Sequence, residues 1–141
     1  MSSPTKLFKL ALKAQKNAHA PYSGYQIGAA LKLSNGQYFS GCNIENASYG
    51  GTVCAERVAI WTGLSQFPGT WIKEILVISK AKNPWPPCGM CRQVMAEFCR
   101  PDTLVHVANS QGIKKTWIFC ELFPDAFSPE HLKKQTTLKR K

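Results

Sequence analysis

Cys54 and Glu56 stand two residues apart in Thr52-Val53-Cys54-Ala55-Glu56-Arg57, which places a thiolate metal ligand, a carboxylate and a cation within one short stretch. A single cysteine does not hold zinc, and Pro87-Cys88-Gly89-Met90-Cys91 supplies two more at a spacing of one helical turn. Three thiolates leave the fourth tetrahedral position open. That opening separates a catalytic zinc site, where water binds, from a structural site closed by four protein ligands. Zinc lowers the pKa of its water from about 16 to about 7 in favourable cases, making hydroxide available at neutral pH. Three anionic sulfurs weaken the metal as a Lewis acid, and a cation hydrogen-bonded to sulfur restores some of its strength. Arg57 and Arg92, each one residue past a ligand segment, are the candidates. Glu56 is too close in sequence to Cys54 for an easy fourth ligand, but it suits a proton shuttle beside zinc-bound water.

The elements that must position these groups follow from periodicity. Ser3-Pro4 starts a helix that runs to about Ala18, with Leu7, Leu10, Ala11 and Ala14 on one face and Lys6, Lys9, Lys13 and Lys16 on another. Gln26–Ser34 and Gln37–Asn43 read as strands joined at Asn35-Gly36, a strong hairpin signal. Ile44–Thr52 reads as a loop delivering side chains to a site. A helix over Val53–Gln66 then carries Cys54 and Glu56 in its first turn, and a helix over Gly89–Cys99 follows directly on Cys88. Helix starts favour negative charge and lower thiol pKa values, so both ligand segments sit where thiolates are stabilised. Trp71–Ser79 is an apolar run suited to a strand buried on both faces. Thr103–Ala108 and Ile113–Phe119 are further strands about the turn Asn109–Gly112, and a short helix follows Pro129. The order predicts an α/β fold of three layers, with a central mixed five-stranded sheet between helices.

At 141 residues the chain has the size of one domain, read as residues 1–132 with a basic tail over 133–141. The apolar share of 44% and the scattered glycines and prolines fit a globular chain. Its N-terminus makes a poor secretory signal, and its apolar runs fall short of the roughly 20 residues a spanning helix needs. The expectation is a cytoplasmic protein with no membrane partner, in which the six cysteines serve as thiols and metal ligands rather than disulfides. The formal charge of +10 resides at the ends. Lys6, Lys9, Lys13, Lys16, Lys133, Lys134, Lys139, Arg140 and Lys141 account for all but one of those charges. Such ends suit a solvated surface or an anionic partner such as RNA, so nucleic acid is a possible partner that the chemistry does not require.

Cys88-x-x-Cys91 alone also fits a redox pair or half of a structural zinc site. Cys-x-Glu followed by Pro-Cys-x-x-Cys is more specific: it is the pattern of zinc deaminases, with cysteine in place of the histidine of many of them. Pro21-Tyr22-Ser23, Ile27-Gly28-Ala29-Ala30-Leu31, Gly41-Cys42-Asn43-Ile44-Glu45-Asn46-Ala47-Ser48-Tyr49 and Pro87 to Gln93 add to it, as does Glu121-Leu122-Phe123-Pro124 with Phe127. Over these motifs, from about Leu10 to Leu132, the chain resembles the small cytidine deaminases that act on free cytidine and deoxycytidine.

The resemblance implies hydrolysis to uridine and deoxyuridine with release of ammonia, as in pyrimidine salvage. It implies one zinc per subunit on Cys54, Cys88 and Cys91, with Glu56 as the proton shuttle. Asn43 and Glu45 would bind the ribose hydroxyl, the backbone of Ala55 would meet the pyrimidine carbonyl, and Tyr25, where the family usually has phenylalanine, would lie against the substrate ring. It further implies a homotetramer with shared active sites, in which Phe127 reaches into a neighbour. Two other functions fit less of the chain. One is a deaminase of RNA or single-stranded DNA that holds phosphates with its basic ends; the other is a non-catalytic zinc module binding nucleic acid, which leaves Glu56 and the Asn43/Glu45 loop unexplained. The remaining cysteines read as small buried thiols, and Trp85 as a loop residue shaping a pocket rim.

Overall fold

The computed structural model describes residues 1–133, so all but the first residue of the basic tail lies outside the described residues. Its element order is α1 (Ser3–Gln15), β1 (Gly28–Leu33), β2 (Tyr38–Cys42), α2 (Ala55–Gln66), β3 (Ile72–Ile78), α3 (Gly89–Phe98), β4 (Cys99–Asn109), β5 (Gly112–Ile118) and α4 (Phe119–Leu122). Short 3₁₀ turns occur at Tyr49–Gly51 and Pro129–Leu132. The five strands form one sheet in the order β2-β1-β3-β4-β5. Only the β3–β4 pair is parallel, so the sheet is mixed, as the order of elements predicts.

Strand alternation builds the layers. Ala29, Leu31 and Leu33 of β1, with Ile75 and Val77 of β3, face a core shared with Ala59 and Ile60 of α2 and Met95 of α3. Ala30 of β1, with Leu76 and Ile78 of β3, points the other way onto Leu7 and Ala11 of α1. Such alternation is the consequence of the two-residue strand period, and it puts α1 on one face and α2, α3 and the short α4 on the other.

Several boundaries differ from the sequence reading, each because a tertiary contact takes over the backbone. Val53 does not open α2: it exchanges two hydrogen bonds of 2.9 Å with Ile44, and Ile44 in turn lies beside His19. Cys54 is therefore the extended N-cap residue of α2, and Glu56 its second helical residue. On the other side, α1 stops at Gln15, whose side-chain amide donates to the Gln26 carbonyl at 2.9 Å. β4 begins at Cys99, four residues before the expected Thr103. There the Thr103 hydroxyl donates to the Ile72 carbonyl at 2.7 Å and accepts from the Arg100 amide at 2.9 Å, securing the register shift around Pro101.

Candidate zinc centre and substrate cavity

Cys54 caps α2 and Cys88 caps α3, both with extended backbone, so their sulfurs project from helix N-termini; Cys91 lies one turn into α3 and is buried. The three sulfurs lie within 4.8 Å of one another, with Cys54 and Cys88 4.0 Å apart. Tetrahedral zinc with bonds near 2.3 Å requires sulfurs roughly 3.8 Å apart, so the ligands need draw in by only a few tenths of an ångström to about one. The soft, all-sulfur donor set also suits zinc, and the residues fit the metal.

The electrostatics of the cluster favour ionised sulfur at Cys54. Cys54 is pulled down to about 5, first by a hydrogen bond from the Cys91 thiol and then by Arg57, while Cys91 is pushed up as that proton's holder. Arg57 places Nη2 3.6 Å from Cys54 Sγ and 3.4 Å from the Thr52 carbonyl. It therefore sits where a cation offsets thiolate charge. Arg92 departs from its expected role: its Nε donates to the Pro87 carbonyl at 2.8 Å and its Nη1 to the Leu122 carbonyl at 2.9 Å. It thus ties the backbone preceding Cys88 to the end of α4, and its recorded hydrogen bonds go to carbonyls rather than to sulfur.

Glu56 is almost fully buried beside this cluster. Burial pushes its carboxyl up to about 7, and the neighbouring Cys54 charge acts in the same direction. A carboxyl that exchanges its proton near neutrality suits general acid and base work. Glu56 lines a cavity of about 240 Å³ together with Cys54, Cys88 and Ala55. As the first helical residue of α2, Ala55 contributes one of the backbone amides that a helix leaves without an internal partner.

Across the cavity lie Asn43 and Glu45, both buried. Most of their hydrogen-bonding capacity shapes the site itself. Asn43 accepts from the Ile27 amide at 2.9 Å and donates to the Tyr25 carbonyl at 2.8 Å. Glu45 accepts from the amides of Tyr22 and Ser23, at 2.9 and 3.1 Å, and from the Ser23 hydroxyl, contacts that hold its carboxyl below the usual range, the Ser23 hydroxyl foremost. Glu45 Oε2 is saturated by the two amides, while Glu45 Oε1 and Asn43 Oδ1 each accept one hydrogen bond and keep a lone pair for a ligand. A second opening of about 340 Å³, lined by Tyr22, Tyr49 and again Ser23, Glu45 and Thr52, adjoins the cavity on this side.

Tyr25 stands at the rim in an edge-on contact with Trp85, ring centroids 4.9 Å apart, and both line the cavity. Trp85 thus occupies the rim expected of it. Phe127 does not line its own chain's cavity; its ring is half exposed and stacks on His131 at 5.5 Å, while its carbonyl accepts from Gln93 at 2.9 Å. The sequence reading missed Ser79 and Val77, which line the cavity from the end of β3. Continuing the Ile75–Val77 alternation by two residues would have found Ser79 on the same face.

The family model "Cytidine and deoxycytidylate deaminase zinc-binding region" matches residues 1–107, covering both α2 and the Cys88–Cys91 segment. The chain belongs to this family. A cytidine deaminase from Halalkalibacterium halodurans is 46% identical over 126 residues, covering 89% of this chain and 95% of that protein. A probable cytidine deaminase from Dictyostelium discoideum is also 46% identical, over 90% of this chain and 85% of its own. The crystal structure of cytidine deaminase from Burkholderia pseudomallei superposes with a TM-score of 0.82 at 42% identity, covering 90% of this chain and all of that one. Fold, metal and reaction class agree: the protein is a zinc-dependent deaminase with an α/β fold.

Proposed function

We propose that the chain deaminates free cytidine and deoxycytidine, giving uridine and deoxyuridine with release of ammonia, as an enzyme of pyrimidine salvage in the cytoplasm. The observation that carries this reading is a cluster of three sulfurs, two of which, Cys54 and Cys88, line one nucleoside-sized cavity together with the buried carboxyl of Glu56. Zinc held by Cys54, Cys88 and Cys91 supplies a water acidic enough to lose its proton near neutral pH. Glu56 would take one proton from water and give it to the ring nitrogen N3 as the water oxygen bonds to C4, then take the remaining proton of that oxygen and pass it to the amino group, so that ammonia leaves as the C4 carbonyl forms. Arg57 offsets the charge of Cys54. Asn43 and Glu45 read the ribose hydroxyl with their remaining lone pairs, the Ala55 amide meets the pyrimidine carbonyl, and Tyr25 covers the ring. Residues 1–132 act as one domain. Four copies assemble into a homotetramer in which Phe127 completes a neighbour's cavity.

The test is ammonia release and the ultraviolet change on cytidine and deoxycytidine with zinc-loaded protein. Turnover that a strong chelator abolishes and added zinc restores is the expected result. Zinc at one per chain without ammonia from either nucleoside would overturn the substrate assignment, and turnover confined to cytosine in RNA would move the substrate to a polymer.

A further inference from the structure

The stretch between β3 and Cys88, residues 80–87, has neither helix nor strand, yet Trp85 and Pro86 from it line the cavity. Among the described residues none of its amides or carbonyls bonds to another backbone group, so side chains hold it. At its end Arg92 donates to the Pro87 carbonyl at 2.8 Å. At its start Asn109, the last residue of β4, places Nδ2 3.1 Å from the Lys82 carbonyl and 3.4 Å from the Ala81 carbonyl. The Gln111 amide donates to Asn109 Oδ1 at 3.0 Å, which turns the amino group toward those two carbonyls. Asn109 is 5% exposed and does not itself line the cavity. Both ends of its amide are thus committed to backbone, on either side of a gap between β4 and the loop.

The sequence carries that anchor to the cavity. From Lys82 the chain reads Asn83-Pro84-Trp85-Pro86-Pro87. Each proline fixes its own φ and drives the residue before it to extended backbone, so Asn83, Trp85 and Pro86 have little freedom. With Lys82 held at one end and Pro87 at the other, the Trp85 ring has its place. Tyr25 stands against it edge-on, centroids 4.9 Å apart, and the Tyr25 carbonyl accepts from Asn43 Nδ2 at 2.8 Å. Two buried asparagines therefore hold the two rim aromatics, Asn43 directly and Asn109 through the proline stretch.

We propose that Asn109 is a positioning residue for the deamination, acting through Trp85: it holds the loop so that Trp85 meets Tyr25 and the two rings close on the bound base. The inference rests on the nucleoside reading above, in which Tyr25 covers the ring. Trp85 touches the base before and during the reaction alike, so its contribution falls on KM rather than on kcat.

The experiment is a double-mutant cycle on cytidine turnover and zinc content, with zinc-loaded full-length wild type, Asn109→Asp, Trp85→Ala and the double variant. Aspartate keeps the acceptor for Gln111 and removes the donor to the loop. Each single variant should raise KM by roughly 3- to 10-fold, the scale of one aromatic contact, with kcat and one zinc per chain retained. In the Trp85→Ala background Asn109→Asp should add nothing. Should the buried aspartate prevent folding, Asn109→Ser, uncharged and too short to reach the loop, is read in the same two backgrounds. A wild-type KM in either single variant, or the same loss from Asn109→Asp with and without Trp85, would overturn the proposal. So would a fall in kcat or in zinc content at unchanged KM, which would route Asn109 through Cys88 instead. Inactivity of wild type on cytidine would remove the substrate reading, and this inference with it.

Discussion

Under the proposed function, Glu56 and the three cysteines face opposed demands in one small volume: the sulfurs would be anionic to hold zinc, and the carboxyl would take and return a proton beside them. Helix N-termini and Arg57 favour the first, and near-complete burial of Glu56 favours the second. A second buried titratable residue, His106 on β4, is separate from this chemistry and reports on the sheet. Its Nδ1 lies 2.7 Å from the Thr116 hydroxyl, and its Nε2 is buried without a partner among the described residues. Burial holds its pKa below the ordinary 6.5, with the Glu74 charge acting against that shift. The native state therefore prefers neutral His106. Below pH 6.5 the unfolded chain binds the proton first, so this residue's contribution to stability is lost as pH falls. Between pH 8 and 5 the melting temperature of wild type should drop more than that of His106→Gln; parallel curves would show that the imidazole does not titrate with folding. At the residue scale the sequence was most readable where residue type and spacing gather metal ligands, as for Cys54, Cys88 and Cys91. Arg92 was misread because the direction of its guanidinium depends on two carbonyls, one of them thirty residues away in α4.

The element that sets the site's geometry is β1, flanked by β2 and β3 and covered by helices on both faces. Gly28 begins it. A Cβ there would lie 2.1 Å from the Ala11 carbonyl oxygen and 2.9 Å from the Gln15 amide nitrogen, so α1 rests directly on this backbone. Gly28→Ala must push α1 off the sheet or shift the strand that leads from Ile27, the partner of Asn43. A loss of about 3 kcal/mol, the upper end of ordinary overpacking, is expected in urea unfolding, since the obstruction is backbone rather than a flexible side chain. A change within about 0.5 kcal/mol would mean that the helix moves freely on the sheet. Strand alternation and the Asn35-Gly36 turn made the sheet legible, and Gly36 indeed takes a left-handed φ of +86°. The starts of α2 and β4 were not legible. Val53 and Cys99 are equally acceptable in helix or strand, and pairing with Ile44 and Ile72 decides between them.

At the scale of the whole molecule, the cavity shares Ser23, Glu45 and Thr52 with an open region flanked by Tyr22 and Tyr49. Phe127 stands apart from that cavity, on a segment anchored to α3 through Gln93. An exposed aromatic fixed by its own backbone is suited to another chain's pocket. Sedimentation should accordingly give a mass four times the 15.7 kDa of one chain. Specific activity should fall on dilution through the dissociation range, and Phe127→Ala should raise KM with zinc content unchanged. A fully active monomer would contradict shared active sites.

The central claim is that Glu56 moves protons in a site whose metal is held by cysteine alone. It is tested most directly by measuring zinc content and cytidine turnover together in wild type and Glu56→Gln. The account predicts one zinc per chain in both proteins and a loss of turnover of about 100-fold or more in the variant, the scale of a lost general acid and base. Turnover near the wild-type rate with zinc intact would contradict it, and loss of zinc from Glu56→Gln would make the carboxylate a ligand instead.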